Sequence, residues 1–229
     1  MRASAFDVAA SCSGFLYALS MADAFIRSGQ YRRCLVVASE VKSRFVDATD
    51  PATAMLFGDG AGAAVLVAEE GWQPAGSGVL GIRLYADGSR YGMITMPAGG
   101  SRRPASLETI RGREHTIRLQ GGPLFRVAVR RLVEAVRATL KDFGISVADL
   151  SWVVFHQANG RLLSAVMERL QLGPEKTYTV LDRFGNASSA SLPIALDYGA
   201  RERRILPGDL VLLGAFGGGL TWGTALIRW

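Results

Sequence analysis

The sequence predicts an α/β protein. Two observations carry that prediction. Short apolar runs of strand character alternate along the chain with stripes of three- and four-residue spacing. No stretch rich in Pro or Ser separates two bodies. Composition agrees: with 49% hydrophobic and 20% charged residues among 229, the chain can bury a sizeable core. Many of its 27 glycines sit in apolar surroundings such as FGDGAGAAVL and GAFGGGLTWG, which suits tight turns and close backbone approach, not a flexible linker.

In chain order, residues 5–10 are short and apolar and fit a buried strand. Residues 13–28 place Phe15, Leu19, Ala22 and Ile26 on one helical face, and Gly29 stops that helix. CLVVASE from Cys34 and GAGAAVLVAEE from Gly60 are β-rich runs, and residues 78–85 add a strand. Residues 87–120 read as an excursion, punctuated by Pro97, Gly99, Gly100 and Pro104. The clearest helix covers 124–143, with an apolar stripe of Phe125, Val129, Leu132, Val133, Val136, Leu140 and Phe143. Arg126, Arg130, Arg137 and Lys141 occupy its other side. WVVFHQ follows as a strand, 159–170 as a helix, and YTVLD as a short strand. A helix over 188–202 has Pro193 oddly placed in its first turns, and LVLLGAF and TALIRW close the chain as strands.

No apolar run reaches the roughly 18–20 residues that span a bilayer, and no charged segment followed by an apolar one suggests a signal peptide. Two cysteines make no disulfide framework and fit a reducing, cytoplasmic compartment. The net charge of +6 lies in short stretches such as RSGQYRR, GSRRP and RERR, which read as a solvated surface. No aromatic-rich basic motif accompanies it, so nucleic acid is not an expected partner.

Three residues stand out chemically. Cys12 falls where an apolar run turns into a helix, among the small neighbours Ala9, Ala10, Ser11, Ser13 and Gly14. The positive end of a helix favours thiolate there, although a buried structural cysteine fits the same local pattern. His156 ends a strand, a common place for a site residue in an α/β sheet; a satisfied core histidine is the alternative. Asn186 lies in RFGNASSAS, where a turn or cap asparagine is equally at home. GAFGGGLTWG offers backbone N–H groups to an oxyanion, and no GKS or GKT follows to make it a phosphate loop. Cys34 reads as structural and His115 as solvated surface.

Taken together, AFDVAASCSGF, FGDGAGAAVL, HQANGRLL, DRFGNASSASLPIAL and LLGAFGGGLTWG resemble the corresponding stretches of β-ketoacyl-acyl-carrier-protein synthase III, from about residue 5 to Trp229. A Cys–His–Asn set distinguishes this branch from thiolases, which use a second cysteine, and from elongating ketosynthases, which use two histidines. The resemblance implies a thiolase-like layered fold of two pseudo-repeated halves, divided here as 1–115, with the nucleophile, and 116–229, with His156 and Asn186. It implies a decarboxylating Claisen condensation of an acyl-CoA starter with malonyl-acyl-carrier protein, initiating fatty acid biosynthesis. Starter condensation in a polyketide pathway is the alternative. Catalysis falls to Cys12, His156 and Asn186, and the oxyanion hole to the backbones of Cys12 and Gly218. Asn159, Arg161, Phe125 and Phe216 match substrate-lining positions. Arg126, Arg130 and Arg161 are candidates for docking an acidic carrier protein. The resemblance implies a homodimer and no metal or redox cofactor.

The chain also departs from the family pattern. Only MRAS precedes the nucleophile segment, where the family has a strand–helix–strand–helix stretch. The expectation is therefore an incomplete N-terminal half, with Met1 internal to a longer protein, that folds poorly and has little activity alone. A non-catalytic remnant that only binds carrier protein or a sister subunit is the competing reading; a papain-like hydrolase fits the glycine-rich ending badly. In DATDPATAM, Pro51 stands where many members place an arginine that helps hold CoA.

Overall fold

The structure, a computed structural model, describes residues 3–69 and 76–229. A 3₁₀ turn at Ser11–Ser13 leads into α1 (Gly14–Arg27), which buries Phe15, Leu16, Leu19 and Ala22 and ends before Gly29 at φ +74°. β1 (Arg33–Val41), a short helix α2 (Pro51–Ala54) and β2 (Asp59–Val67) follow. β1 and β2 pair antiparallel as an isolated two-stranded sheet. Glu70, the last residue of the expected β-rich run, lies outside the described residues. β3 (Gly78–Ala86) leads to an excursion that holds two small strands, β4 (Ile94–Thr95) and β5 (Arg118–Leu119), around α3 (Leu107–Arg111).

The long helix α4 (Gly121–Asp142) starts three residues earlier than the expected position 124, because Pro123 in the first turn needs no N–H partner. β6 (Trp152–Phe155), α5 (Gly160–Leu170), a helical turn α6 (Leu181–Phe184), α7 (Ser191–Arg201), β7 (Leu210–Gly217) and β8 (Thr221–Arg228) complete the order. Pro193 is likewise the third residue of α7, which removes the oddity seen in the sequence. β3, β8, β7 and β6 form a mixed sheet in that order, with β6 and β7 parallel and the other pairs antiparallel.

The layers are β1–β2, then α1 and α7, then the four-stranded sheet, then α4 and α5. Two apolar cores fill the spaces between them. One joins α4 and α5 to the sheet through Leu132, Val136, Phe155, Val166 and Leu212; the other joins the sheet to α1, α7 and β1 through Phe15, Leu16, Val154, Leu192 and Leu213. Each fully buried aliphatic or aromatic side chain contributes roughly 1.5–3 kcal/mol.

Several expectations change. Residues 5–10 form no strand, and of them only Ala10 is buried, because no neighbouring strand accepts their backbone bonds among the described residues. YTVLD forms no strand either. The Val180 N–H and the Thr179 hydroxyl both donate to the Gln157 side chain, at 3.0 and 2.8 Å, so the ladder loses its donor. The 115/116 division does not follow the sheets, since β3 lies beside β8. His115 is half-buried and bonded to Thr109 at 2.9 Å, not solvated.

The pseudo-repeat is visible in local geometry. Ser11 and Ser188 both adopt φ +50°, each opens a 3₁₀ turn (Ser11–Ser13 and Ser188–Ala190), and each turn feeds a central helix followed by an antiparallel strand pair. Left-handed backbone in a non-glycine residue is costly and clusters at functional sites.

Candidate active site

The two strained turns meet at one sulfur. Cys12 is the middle residue of the first turn, and Ser188 of the second donates to its Sγ at 3.5 Å. The close fit extends to the β7–β8 hairpin. A Cβ at Gly217 would lie 2.7 Å from the Cys12 nitrogen, and one at Gly218 would lie 3.2 Å from Ser11 Oγ. Glycine is what permits the hairpin to reach the nucleophile. Ser13 and Thr221 stitch the same junction, Ser13 Oγ donating to Thr221 O at 3.0 Å and Thr221 Oγ1 to Ala10 O at 2.8 Å.

His156 is buried just beyond β6, its N–H donating to Gly214 O at 2.7 Å. Its Nδ1 lies 2.6 Å from Ser191 Oγ. That oxygen also receives the Gln157 N–H at 3.1 Å and donates to Ser188 O at 2.9 Å. With its own proton so used, Ser191 accepts from Nδ1–H, and Nε2 is the ring atom left to the cysteine. If the hydroxyl turns to donate to Nδ1 instead, Nε2 carries the proton. Ser191 thus serves both tautomers.

Asn186 is held through three contacts. Its N–H donates to Leu56 O at 2.9 Å, its carbonyl accepts from Gly58 N at 3.1 Å, and Oδ1 accepts from Ser188 N at 3.0 Å. With Oδ1 occupied, the carboxamide NH₂ is the end free to serve the cavity that Asn186 lines. The FGDG segment leading into β2 and the RFGN segment interlock here: a Cβ at Gly58 would collide with the Phe184 carbonyl oxygen, and Gly185 takes φ +58°.

Burial pushes the Cys12 thiol up. The imidazole of His156 and its hydrogen bond to the sulfur, the Ser188 hydroxyl and the Lys42 ammonium outweigh that and bring the pKa down to about 7. The thiol is therefore close to half ionised at neutral pH. Cys12, His156 and Asn186 line one cavity of about 1030 Å³. Gly218, Asn159, Arg161, Phe125 and Phe216 line it as well. Asn159 also caps α5, accepting from Leu162 N at 2.8 Å, and Phe216 stacks on Trp222. Arg161 is exposed at the cavity, while Arg126 and Arg130 lie on the exposed side of α4. Pro51 opens α2 behind Asp50, which accepts from Ala52 N at 3.0 Å, so this residue has a helix-starting role.

Sequence reasoning missed Lys42, Gln157, Ser188, Ser191 and Gly217. The run of small hydroxyl residues after Asn186 was the available signal for two of them. The placement of Lys42 near Cys12 and the bonds of Gln157 to Thr179 and Val180 depend on segments that only the fold brings together. The described residues include no group of His, Cys, Asp and Glu that fits a metal ion, and no helix long and apolar enough to cross a membrane.

Comparison with known proteins gives a consistent result. Residues 6–88 match the family 3-oxoacyl-[acyl-carrier-protein] synthase III, and residues 140–229 match the C-terminal portion of the same family. The β-ketoacyl-[acyl-carrier-protein] synthase III of Clostridioides difficile is 42% identical over 230 residues, covering 100% of this chain and 68% of that protein. Its counterpart in Rhizorhabdus wittichii is 48% identical over 225 residues, covering 98% and 67%. The crystal structure of 3-oxoacyl-[acyl-carrier-protein] synthase III from Aquifex aeolicus superposes with a TM-score of 0.86 at 41% identity, covering 98% of this chain and 67% of that one.

Proposed function

The chain belongs to the β-ketoacyl-[acyl-carrier-protein] synthase III family, and from that premise we propose that it joins an acyl-CoA starter to malonyl-acyl-carrier protein, the condensation that initiates fatty acid synthesis. The observation that carries the reading is the meeting of Cys12, His156 and Asn186, from three remote segments, on one cavity.

Each residue type suits its step. The Cys12 thiolate attacks the acyl-CoA carbonyl, and the tetrahedral oxyanion takes the N–H groups of Cys12 and Gly218. The carbon–sulfur bond to CoA breaks, and the CoA thiolate leaves and takes up a proton. Malonyl on its pantetheine arm then enters past Asn159 and Arg161. Its bond to the carboxylate breaks, CO₂ leaves, and the bonding pair becomes an enolate. His156 Nε2–H and the Asn186 carboxamide donate to the enolate oxygen without placing a permanent charge in the site. The enolate carbon attacks the acyl carbon, Cys12 departs as thiolate, and 3-oxoacyl-carrier protein is the product. No metal or redox cofactor takes part in this scheme.

Arg126, Arg130 and Arg161 are the cationic groups we assign to carrier-protein docking; Arg126→Glu should raise the KM for carrier protein at low salt, and an unchanged KM rejects the assignment. A cytoplasmic homodimer is the form in which we expect the protein to act, and sedimentation velocity checks the dimer. The reaction itself is tested by intact mass after incubation with butyryl-CoA and then malonyl-carrier protein. A butyryl adduct on Cys12, absent in Cys12→Ala, followed by 3-oxoacyl-carrier protein, is the expected result. A chain that gains no acyl adduct from any CoA thioester is not a condensing enzyme.

A further inference from the structure

The wall of the cavity beside Cys12 contains one cation that the mechanism does not use. Lys42 lines this cavity, as do the apolar side chains of Phe45, Leu56 and Phe57. Lys42 is not a loose surface chain. Its Nζ stands 2.8 Å from Glu40 Oε2, with side-chain exposures of only 24% and 17% for the two residues. Glu40 is fixed in turn, since Oε1 accepts from Ser189 Oγ at 2.6 Å and from Ser189 N at 3.4 Å. Burial pushes the Glu40 carboxyl up, but the bonds from the Lys42 ammonium and from Ser189 outweigh it and hold the carboxyl below its usual range. Ser189 adjoins Ser188, the donor to the Cys12 sulfur. The ion pair is therefore anchored to the same turn that shapes the nucleophile, and the Lys42 ammonium also acts electrostatically on Cys12.

An ammonium carries three donors and no acceptor. Glu40 takes up part of that capacity, and Lys42 lines the cavity together with the hydrocarbon side chains of Phe45, Leu56 and Phe57. A plain alkanoyl chain filling that space displaces water from the ammonium and offers nothing in return. An acyl chain with an oxygen near the thioester end replaces the water. Sites built to hydrogen-bond a substrate oxygen reject the analogue that lacks it far more strongly than apolar pockets discriminate by size.

We propose that Lys42, held by Glu40, makes the acyl site select starters that carry an oxygen acceptor, whether hydroxyl, keto or carboxylate, over unsubstituted alkanoyl chains. This rests on the condensation reading above and specifies the substrate class of the same cavity. Acylation proceeds as before: the Cys12–acyl bond forms, the acyl–CoA bond breaks, and Lys42 takes no part in bond making.

The test measures initial rates of Cys12 acylation by intact mass, using butyryl-CoA, 3-hydroxybutyryl-CoA and succinyl-CoA on the wild type, Lys42→Met and Lys42→Arg. The wild type should acylate with at least one oxygenated thioester about 10-fold faster than with butyryl-CoA, and hydroxyl against carboxylate preference distinguishes the two sources of oxygen. That advantage should vanish in Lys42→Met and persist in Lys42→Arg. Because the ratio is taken within one variant, any loss of thiolate on removing the ammonium cancels. Butyryl-CoA reacting as fast as both oxygenated thioesters in the wild type overturns the proposal, as does an oxygen preference that survives Lys42→Met. If no thioester acylates Cys12 while iodoacetamide still alkylates it, the condensation reading fails and takes this inference with it.

Discussion

The two strand pairs that follow the central helices begin alike and end differently. β7 and β8 lie within a four-stranded sheet, covered by α1 and α7 on one face and by α4 and α5 on the other; β7 is buried at every position. β1 and β2 have α1 and α7 on one face only. On the other, Leu35, Val37, Val65 and Val67 are each more than half exposed, and neither edge has a partner strand among the described residues. The same local design, a strained serine, a 3₁₀ turn, a helix and two antiparallel strands, thus carries a packed sheet in one repeat and a half-covered sheet in the other. The difference shows that the catalytic geometry rests unequally on its two supports. His156 and the Gly217–Gly218 hairpin are borne by the packed sheet. Cys12 depends on α1 and on the turn that Ser188 shares with it.

Substitutions at matched apolar positions give the largest contrast. Phe155→Ala, in the packed sheet, should cost about 3–5 kcal/mol in urea unfolding, whereas Leu35→Ala should change stability by about 0.5 kcal/mol or less. Similar costs at the two sites would mean that the face of β1 is covered in solution. Next in size is the contribution of the packed side to the nucleophile. Cys12 alkylation by iodoacetamide should rise with pH to a plateau with its midpoint near 7. In His156→Ala the influences that lower the thiol are reduced while burial still raises it, so the midpoint should move above about 8.5 and the rate at pH 7 should fall at least ~10-fold. An unmoved midpoint would transfer the activation of Cys12 from His156 to Ser188 and Lys42.

Ser191→Ala should act more gently. Losing the partner of Nδ1 should lower kcat about 3- to 10-fold with little change in KM, and Ser191→Thr should restore most of it. A pure KM effect would rule out control of the imidazole. The smallest effect is expected on the bare sheet: Leu35→Lys with Val65→Lys should leave the urea midpoint nearly unchanged but reduce self-association in sedimentation velocity. Unaltered association would show that this face is not the sticky one.

Legibility in the sequence followed the same divide. Elements with a strong internal period, α1, α4 and α5, were placed within a few residues, because a helical stripe is a property of the segment itself. AFDVAA looked like a strand, yet strands need partners and this one has none among the described residues. YTVLD failed for a related reason: Gln157, distant in sequence, takes the bond a ladder needs. β4 and β5 have two residues each, too few for any alternation to register. Of the site, Cys12, His156 and Asn186 were readable because each lies in a distinctive run of small residues and turn formers. Ser191 was not, because its role is set by an imidazole 35 positions away in the chain.

The interlocked FGDG and RFGN segments have a consequence for inheritance. Gly58 abuts the Phe184 carbonyl oxygen so tightly that no Cβ fits, and the carbonyl belongs to the loop that presents Asn186. Every amino-acid change reachable from a glycine codon by one base adds at least a methyl group. This position therefore has no conservative neighbour in the genetic code, and any amino-acid change at Gly58, in the first repeat, would be felt at a catalytic residue of the second.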